Sequence, residues 1–430
     1  MIPKLRQVFH LLTTQGIALA ARLLYGFLCV RLLPVSEYAK FTVVFGFLGT
    51  LTVLMDVGFS ATLLPLIGER IDDRKLIADY VATLRQLAHW LYLAMAPVTM
   101  IVYPMLVQRQ HWSWRVVAAM VAILLLASWC ARVSGIYGAV LIVRRDRGYW
   151  YRTQVISNLA SLALLAILWL THSLSAFPLM LTSVAGMVYL AVAYFFRARH
   201  LLGQVGQPSR EMRHAVVHLT VPSMPNVIFY AFQGQISLIL ITLFGRTMAV
   251  ASLGALTRLG QIFMFFGQMN PLLIEPYFAK LQAAKLKRHY LAVIAVEVLL
   301  CVALVAAAGY VPQVFLWVLG SKYSGLHTEV LLMIAGNSLN YLAGLQWSIN
   351  SSRKFVYWWN GMATIVATLA IEVIFFWKVD LSSVRNTLWM NLVTALALLL
   401  INMLTGVYGF VFGPRRSGEM LVAAQGGSNA

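Results

Sequence analysis

Twelve stretches of about 20 mostly apolar residues recur along this chain, separated by short polar breaks, and each could cross the ~30 Å hydrocarbon core of a bilayer as one helix. They fall at roughly 14–33, 41–64, 87–107, 116–138, 156–171, 178–196, 220–244, 250–274, 291–311, 330–349, 361–377 and 388–412. Composition agrees with that pattern. Only 11% of residues are charged and 60% are hydrophobic, whereas a soluble domain is about one quarter charged. The mean hydropathy of +0.78 excludes a soluble fold. The predicted class is an all-α polytopic membrane protein of about 12 transmembrane helices.

The net charge of +19 would suggest nucleic acid in a soluble protein. Here the cations sit mainly in short loops between apolar runs, so they read as the positive-inside signal of a membrane protein, and no nucleic-acid partner is expected. With the N-terminus placed in the cytoplasm, 22 of the 33 Lys and Arg fall on the cytoplasmic side and 7 on the other, while Arg22, Arg31, Arg132 and Arg258 lie within spans. That bias predicts both termini in the cytoplasm and an even number of spans. The run 14–33 is too long for the apolar core of a cleaved leader and lacks a small-residue cleavage site, so it reads as the first span and an uncleaved targeting signal. Cys29, Cys130 and Cys301 are scattered inside apolar runs and suggest neither a disulfide framework nor a metal site.

The longest break, 197–219, contains Gly203, Gly206 and Pro208, then an amphipathic stretch from Ser209 to Leu219. It divides the spans six and six. The expected organisation is an N-terminal lobe over 1–200, a cytoplasmic linker over 201–219, a C-terminal lobe over 220–413 and a disordered tail over 414–430. The junctions after the first and seventh spans, Arg31-Leu-Leu-Pro-Val-Ser-Glu-Tyr-Ala-Lys-Phe and Leu243-Phe-Gly-Arg-Thr-Met-Ala-Val-Ala-Ser-Leu, are weakly alike. Two six-helix lobes in one orientation imply a parallel pseudo-two-fold repeat. That is a transporter architecture with a substrate cavity between the halves.

Polar side chains deep in a membrane are costly and usually face a cavity or a partner. Arg22 lies near the middle of the first span, on a face with Gln15 and Gly26, and suits an anion site or a structural salt bridge. Arg258, Gln261, Gln268 and Glu275 run along the eighth span. Asn226, Tyr230, Gln233 and Ser237 form a matching stripe on the seventh. Such stripes face protein or water and could meet sugar hydroxyls or simply pack helix to helix. Asp56 and Arg132 lie at similar depth in the second and fourth spans, so they suit an ion pair, with a coupling-ion role for Asp56 as the alternative. Glu297 and Glu372 are further intramembrane acids that could relay protons. His214 and His218 are four apart, but two histidines are a weak metal signal. No nucleotide-binding loop, metalloprotease motif or nucleophile elbow occurs. No nucleotide, cofactor or metal is therefore expected, and no enzyme.

The stretch Gly26-Phe-Leu-Cys-Val-Arg-Leu-Leu-Pro-Val-Ser-Glu-Tyr-Ala-Lys-Phe resembles the opening of bacterial polysaccharide-biosynthesis membrane proteins, the lipid-linked oligosaccharide (O-antigen type) flippases of the multidrug/oligosaccharidyl-lipid/polysaccharide exporter superfamily. Met55-Asp-Val-Gly-Phe-Ser-Ala, His218-Leu-Thr-Val-Pro-Ser and Leu253-Gly-Ala-Leu continue the resemblance across most of the chain. It implies alternating access in the bacterial inner membrane and a cationic cavity, in which Arg22 and Arg258 match positions that meet pyrophosphate in related lipid-II flippases. It implies as partners a polyprenyl-pyrophosphate-linked oligosaccharide, membrane lipid, and a polysaccharide polymerase or co-polymerase. The second helix carries Asp56 where those flippases place an arginine, and glutamines stand at 233 and 235 where the family often has an acid. The sugar-facing residues would be Gln15, Asn226, Tyr230, Gln233, Gln261 and Gln268. A multidrug or other small-molecule antiporter of the same superfamily is the alternative.

Overall fold

A computed structural model describes the backbone of residues 2–68, 70–270 and 274–426, and the side chains of 16–68, 70–222, 224–264, 266–267, 270, 274–282 and 285–412. The regular elements among them are helical throughout, so the all-α polytopic class holds. Among the described residues eight helices are individually long and apolar enough to cross a membrane, or nine if one bent pair is counted as a single span. Among the described residues the twelve predicted stretches are largely helical, with breaks after Asp56 and at Gly234–Gln235. The shortfall in the apolar test has visible causes. One of the expected spans breaks into short pieces, and another is diluted by Asn337, Asn340, Gln346 and Asn350. The first and eighth run over side chains outside the described set.

The chain gathers into two compact units, Met1–Gly254 and Ala255–Ala430. The first contains α1 (Ile2–Leu32), α2 (Val35–Asp56), the short α3 (Leu63–Ile67), α4 (Arg74–Val107), α5 (Trp114–Val143), α6 (Arg147–Leu170), α7 (Ala176–Leu202), α8 (Arg210–Thr220), α9 (Met224–Gln233) and α10 (Ile236–Phe244). α11 (Thr247–Met269) begins in it. The boundary between these units falls inside α11, and α9 and α10 pack on α2. The amphipathic stretch 209–219 becomes α8, which buries Val216 and Thr220.

Within this unit α5 packs along α7 and α4, and α1 lies on α6. One end is tied by side chains. The Arg144 guanidinium donates to the Ile71 carbonyl at 2.7 Å, and Arg197 pairs with Asp146 at 2.7 Å. The Gln207 N–H donates to Asp79 at 2.8 Å. These contacts bring the start of α4, the turn between α5 and α6, the end of α7 and the linker to α8 to the same end, so the arginine-rich breaks of the sequence converge in space. Elsewhere in the unit the buried Gln110 amide donates to the Thr242 and Gly245 carbonyls at 3.0 and 3.1 Å and accepts from Thr247 at 3.0 Å. That satisfies the last carbonyls of α10, which have no partner within their own helix.

The second unit holds the rest of α11, then α12 (Glu275–Lys280), α13 (Ala283–Tyr310), α14 (Pro312–Leu319), α15 (His327–Ser352), α16 (Trp358–Lys378) and α17 (Val384–Gly426). The final helix continues past 413, and its side chains beyond 412 lie outside the described residues. α15 packs along α17 through a buried amide network. Tyr290 donates to Gln346 at 2.8 Å, Gln346 to Asn350 at 3.1 Å, and Asn350 to the Asn402 carbonyl at 2.9 Å. Asn360 donates to the Asn402 side chain at 3.1 Å and to Thr405 at 2.6 Å. A polar group in hydrocarbon has no water to fall back on, so each of these amides finds a neighbouring helix.

Candidate functional site

Arg22 projects from α1 as an exposed side chain, between the buried Ala21 and a partly buried Leu23. The helix is pinned about one turn to either side of it. Tyr25 shares a 2.8 Å hydroxyl contact with Ser183 of α7, and Asn158 of α6 donates to the Ala18 carbonyl at 3.3 Å. Ala18, Arg22 and Tyr25 follow one another at helical spacing, so the exposed arginine sits on the same stripe as these two contacts. The Gln15 side chain lies outside the described residues.

Asn226, Tyr230 and Gln233 all lie on α9, in the same unit as Arg22. Asn226 and Tyr230 are exposed and Gln233 is partly buried. The stripe does not run on to Ser237 as one helix. The chain breaks at Gly234–Gln235, where the Gln235 N–H turns to the Phe232 carbonyl at 2.9 Å, three residues back instead of four. The Ala231 carbonyl loses its helical donor, and Thr50 of α2 supplies another at 3.3 Å. The Gln235 amide lies against α2 at Gly46 and Gly49, where a β-carbon would come within 3.2 and 3.4 Å of it. Sequence reading missed Thr50 and the seat that Gly46 and Gly49 offer to Gln235. The Gly46-x-x-Gly49-Thr50 spacing on one helix was the available signal.

Asp56 and Arg132 do not form the expected pair. The Asp56 carboxylate accepts from the Ser60 hydroxyl at 2.6 Å and from the Ser60 N–H at 3.1 Å, which holds the turn after α2. α2 stops there, short of the predicted 64, because Val57 and Gly58 both take positive φ, 45° and 90°. Arg132 is only 6% exposed. Its guanidinium carbon stands 3.8 Å from the Trp129 ring centroid and 5.5 Å from that of Tyr92, and its Nε and Nη1 have no hydrogen-bond acceptor. A local serine satisfies the acid and aromatic faces hold the cation, so neither needs the other.

Arg258 and Gln261 lie on α11 in the second unit, both partly buried, and the Gln268 side chain is outside the described residues. Gly260, between the first two, faces the Asn337 amide of α15, 2.8 Å from where a β-carbon would sit. Glu297 of α13 stands beside the Tyr341 phenol and within electrostatic range of Cys301. One of its carboxylate oxygens, Oε2, is buried without a hydrogen-bond partner. Glu297 is thus a membrane-embedded carboxylate set between two spans of one unit.

The Glu-Tyr-Ala-Lys-Phe stretch at the start of α2 is structural. Glu37 pairs with Lys40 at 2.6 Å and accepts from the Ala176 N–H at 2.9 Å, at the N-terminus of α7. A carboxylate there complements the positive end of the helix. Tyr38, Ala39 and Phe41 are buried, and the Tyr38 hydroxyl donates to the Gly254 carbonyl at 3.0 Å.

No family model and no curated protein matches the chain. Solved structures do. An inward-facing multidrug resistance MATE family transporter of the MOP superfamily superposes with a TM-score of 0.67 at 15% identity, over 95% of this chain and 96% of that one. The lipid II flippase MurJ, in an inward closed conformation, gives 0.63 at 11% identity over 94% and 92%. A MOP superfamily transporter from Pyrococcus furiosus, described by a binding pocket of reverse polarity, gives 0.54 at 17% over 95% of each chain. Similarity at this level establishes the fold. The chain has the fold of MOP-superfamily transporters along almost its whole length.

Proposed function

We propose that this protein is a flippase that moves a polyprenyl-pyrophosphate-linked oligosaccharide from the inner to the outer leaflet of the bacterial cytoplasmic membrane, by alternating access, for surface polysaccharide synthesis. The observation that carries the reading is Arg22, an exposed arginine within an apolar helix that is pinned to α6 and α7 about one turn to either side of it. Its planar fork of donors suits a phosphate.

The physical problem is desolvation. The idealised cost of moving one small ion from water into a medium as apolar as hydrocarbon is of order 20 kcal/mol, and a pyrophosphate carries more than one charge. A protein path must replace the lost water with cations and hydrogen-bonding groups. Arg22 and Arg258 would meet the phosphates. Asn226, Tyr230, Gln233, Gln261, Gln15 and Gln268 would meet sugar. In this reading 1–200 and 220–413 are the two lobes, 201–219 joins them, and both termini are cytoplasmic. A polysaccharide polymerase or co-polymerase would take the delivered product.

The test is glycan export in a deletion strain complemented with wild type, Arg22→Ala or Arg258→Ala, with lipid-linked intermediates extracted and counted. Accumulation of finished lipid-linked repeat units without surface polymer supports the flippase. Normal surface glycan in the deletion strain, with no redundant flippase, overturns it. The second reading, a small-molecule antiporter, draws on the MATE likeness and on Glu297, whose unpartnered oxygen suits a coupling proton or cation. Drug sensitivity of the deletion strain with intact glycan would favour it.

A further inference from the structure

We propose that the tied, arginine-rich end of the first unit carries a binding site for the phosphate of an anionic phospholipid, separate from the transport path. The site is a cavity of about 160 Å³ bounded by α4, α5, α7 and the segment that leaves α7. Arg85 of α4 and Arg199 of α7 line it from two sides, with Tyr137 of α5 and Gln204 of the linker between them. Its fourth wall is held in place by hydrogen bonds. The Gln207 N–H donates to Asp79 at 2.8 Å and the Ser209 N–H to Thr83 at 3.2 Å, which pins the linker to α4.

The charges at this place are unbalanced. Four aspartates of this end are already engaged: Asp146 with Arg197, Asp72 with Arg144, Asp73 with the Leu76 N–H, and Asp79 with the linker. Arg85 and Arg199 take part in none of the ion pairs among the described residues. Behind them the buried Arg132, with two N–H groups lacking acceptors, is near enough to Arg85 for their charges to oppose each other. Arg85 and Arg132 oppose each other electrostatically, and an anion seated between Arg85 and Arg199 brings the opposite charge to this place. Two arginines on different helices can each offer parallel donors to one phosphate.

The surroundings select a lipid over a free anion. Phe196 and Val205, beside the cavity mouth, are 63% and 73% exposed. Phe196 is one helical turn from His200, which is also exposed, so the same side of α7 offers an aromatic ring to an acyl chain and cations to a headgroup. The excess of Lys and Arg at this end is the pattern of a cytoplasmic membrane face, where anionic lipids attract basic side chains. A lipid bridging Arg85 and Arg199 would clamp α4 to α7 and fix the linker between the two halves of the sequence.

The experiment uses the full chain purified in detergent and compares wild type with the double variant R85Q/R199Q. Native mass spectrometry counts retained phosphatidylglycerol against phosphatidylcholine, and thermal unfolding is followed with each lipid and with inorganic phosphate. Wild type is expected to retain phosphatidylglycerol in preference to phosphatidylcholine and to melt higher with it, as ligand linkage requires. The double variant, folded and equally stable in phosphatidylcholine, should bind phosphatidylglycerol at least about tenfold more weakly. R85K/R199K should keep part of the preference, which separates lost charge from lost fold. Phe196→Ser should weaken retention of the lipid only. If inorganic phosphate stabilises wild type as strongly as the lipid and Phe196→Ser has no effect, the phosphate site stands and its ligand is soluble. Equal retention of both lipids by wild type, or unchanged phosphatidylglycerol binding in R85Q/R199Q, overturns the proposal.

Discussion

The hydroxyl of Thr50 donates to the carbonyl of Ala231 at 3.3 Å, and it does so where α9 gives up its own hydrogen bond to that carbonyl. A break in a membrane helix is tolerated only if a neighbour re-satisfies the freed backbone. Thr50→Val keeps the shape and removes the donor. It is expected to lower thermal stability by about 0.6 to 1.7 kcal/mol, the range of interhelical hydrogen bonds in membranes, while Thr50→Ser stays near wild type. Thermal unfolding in detergent measures both.

A bulkier residue at the neighbouring glycine tests the same contact sterically. At Gly46 a β-carbon would strike the Leu238 side chain and approach the Gln235 amide at 3.2 Å. Gly46→Val should therefore part α2 from α9 and α10 and cost more than Thr50→Val. Gly16, where nothing stands within 4 Å of the added carbon, is the matched control. Comparable losses of folded yield at the two positions would contradict the close approach.

Arg132 is buried with aromatic partners and no acid. A buried cation of that kind is costly, so Arg132→Met, which keeps most of the volume and removes the charge, should be neutral or stabilising. Arg132→Ala leaves a cavity between Trp129 and Tyr92 and should destabilise by about 2 to 4 kcal/mol. A large loss in Arg132→Met would show that the charge itself is needed. In that variant the anionic-lipid preference should also fall, because the cation that acts on Arg85 is gone.

Asp56 holds the turn after α2 through Ser60. Asp56→Asn retains an acceptor and should leave both stability and export close to wild type. Asp56→Ala should cost about 1 kcal/mol, as lost side-chain caps do. Loss of export in a stable Asp56→Asn protein would instead assign the carboxylate to coupling.

For Arg22, full export by Arg22→Ala with normal membrane insertion would remove it from the substrate path. The proposed role requires that Arg22→Ala abolish export and that Arg22→Lys retain part of it, because an ammonium keeps the charge but not the bidentate fork. The count of lipid-linked intermediates separates this from a folding defect.

What the sequence determined by itself is what depends on neighbours along the chain. Twenty apolar residues in a bilayer have one way to satisfy their backbone, so the apolar helices could be placed from hydropathy, and they ended or broke where local rules intervened, as at Val57 and Gly58. The tertiary structure decided the partners. Depth along a helix suggested that Asp56 would meet Arg132, but depth says nothing of azimuth, and a serine four residues away and two aromatic rings took those roles. The break at Gly234–Gln235 lay hidden in an apolar run because it depends on Thr50 and two glycines about 180 residues earlier. The arginine-rich breaks could be counted from the sequence, but only packing showed which arginines their acids leave uncovered. Charges far apart in sequence become one electrostatic site only when helices bring them within range, and that distance is a property of the fold.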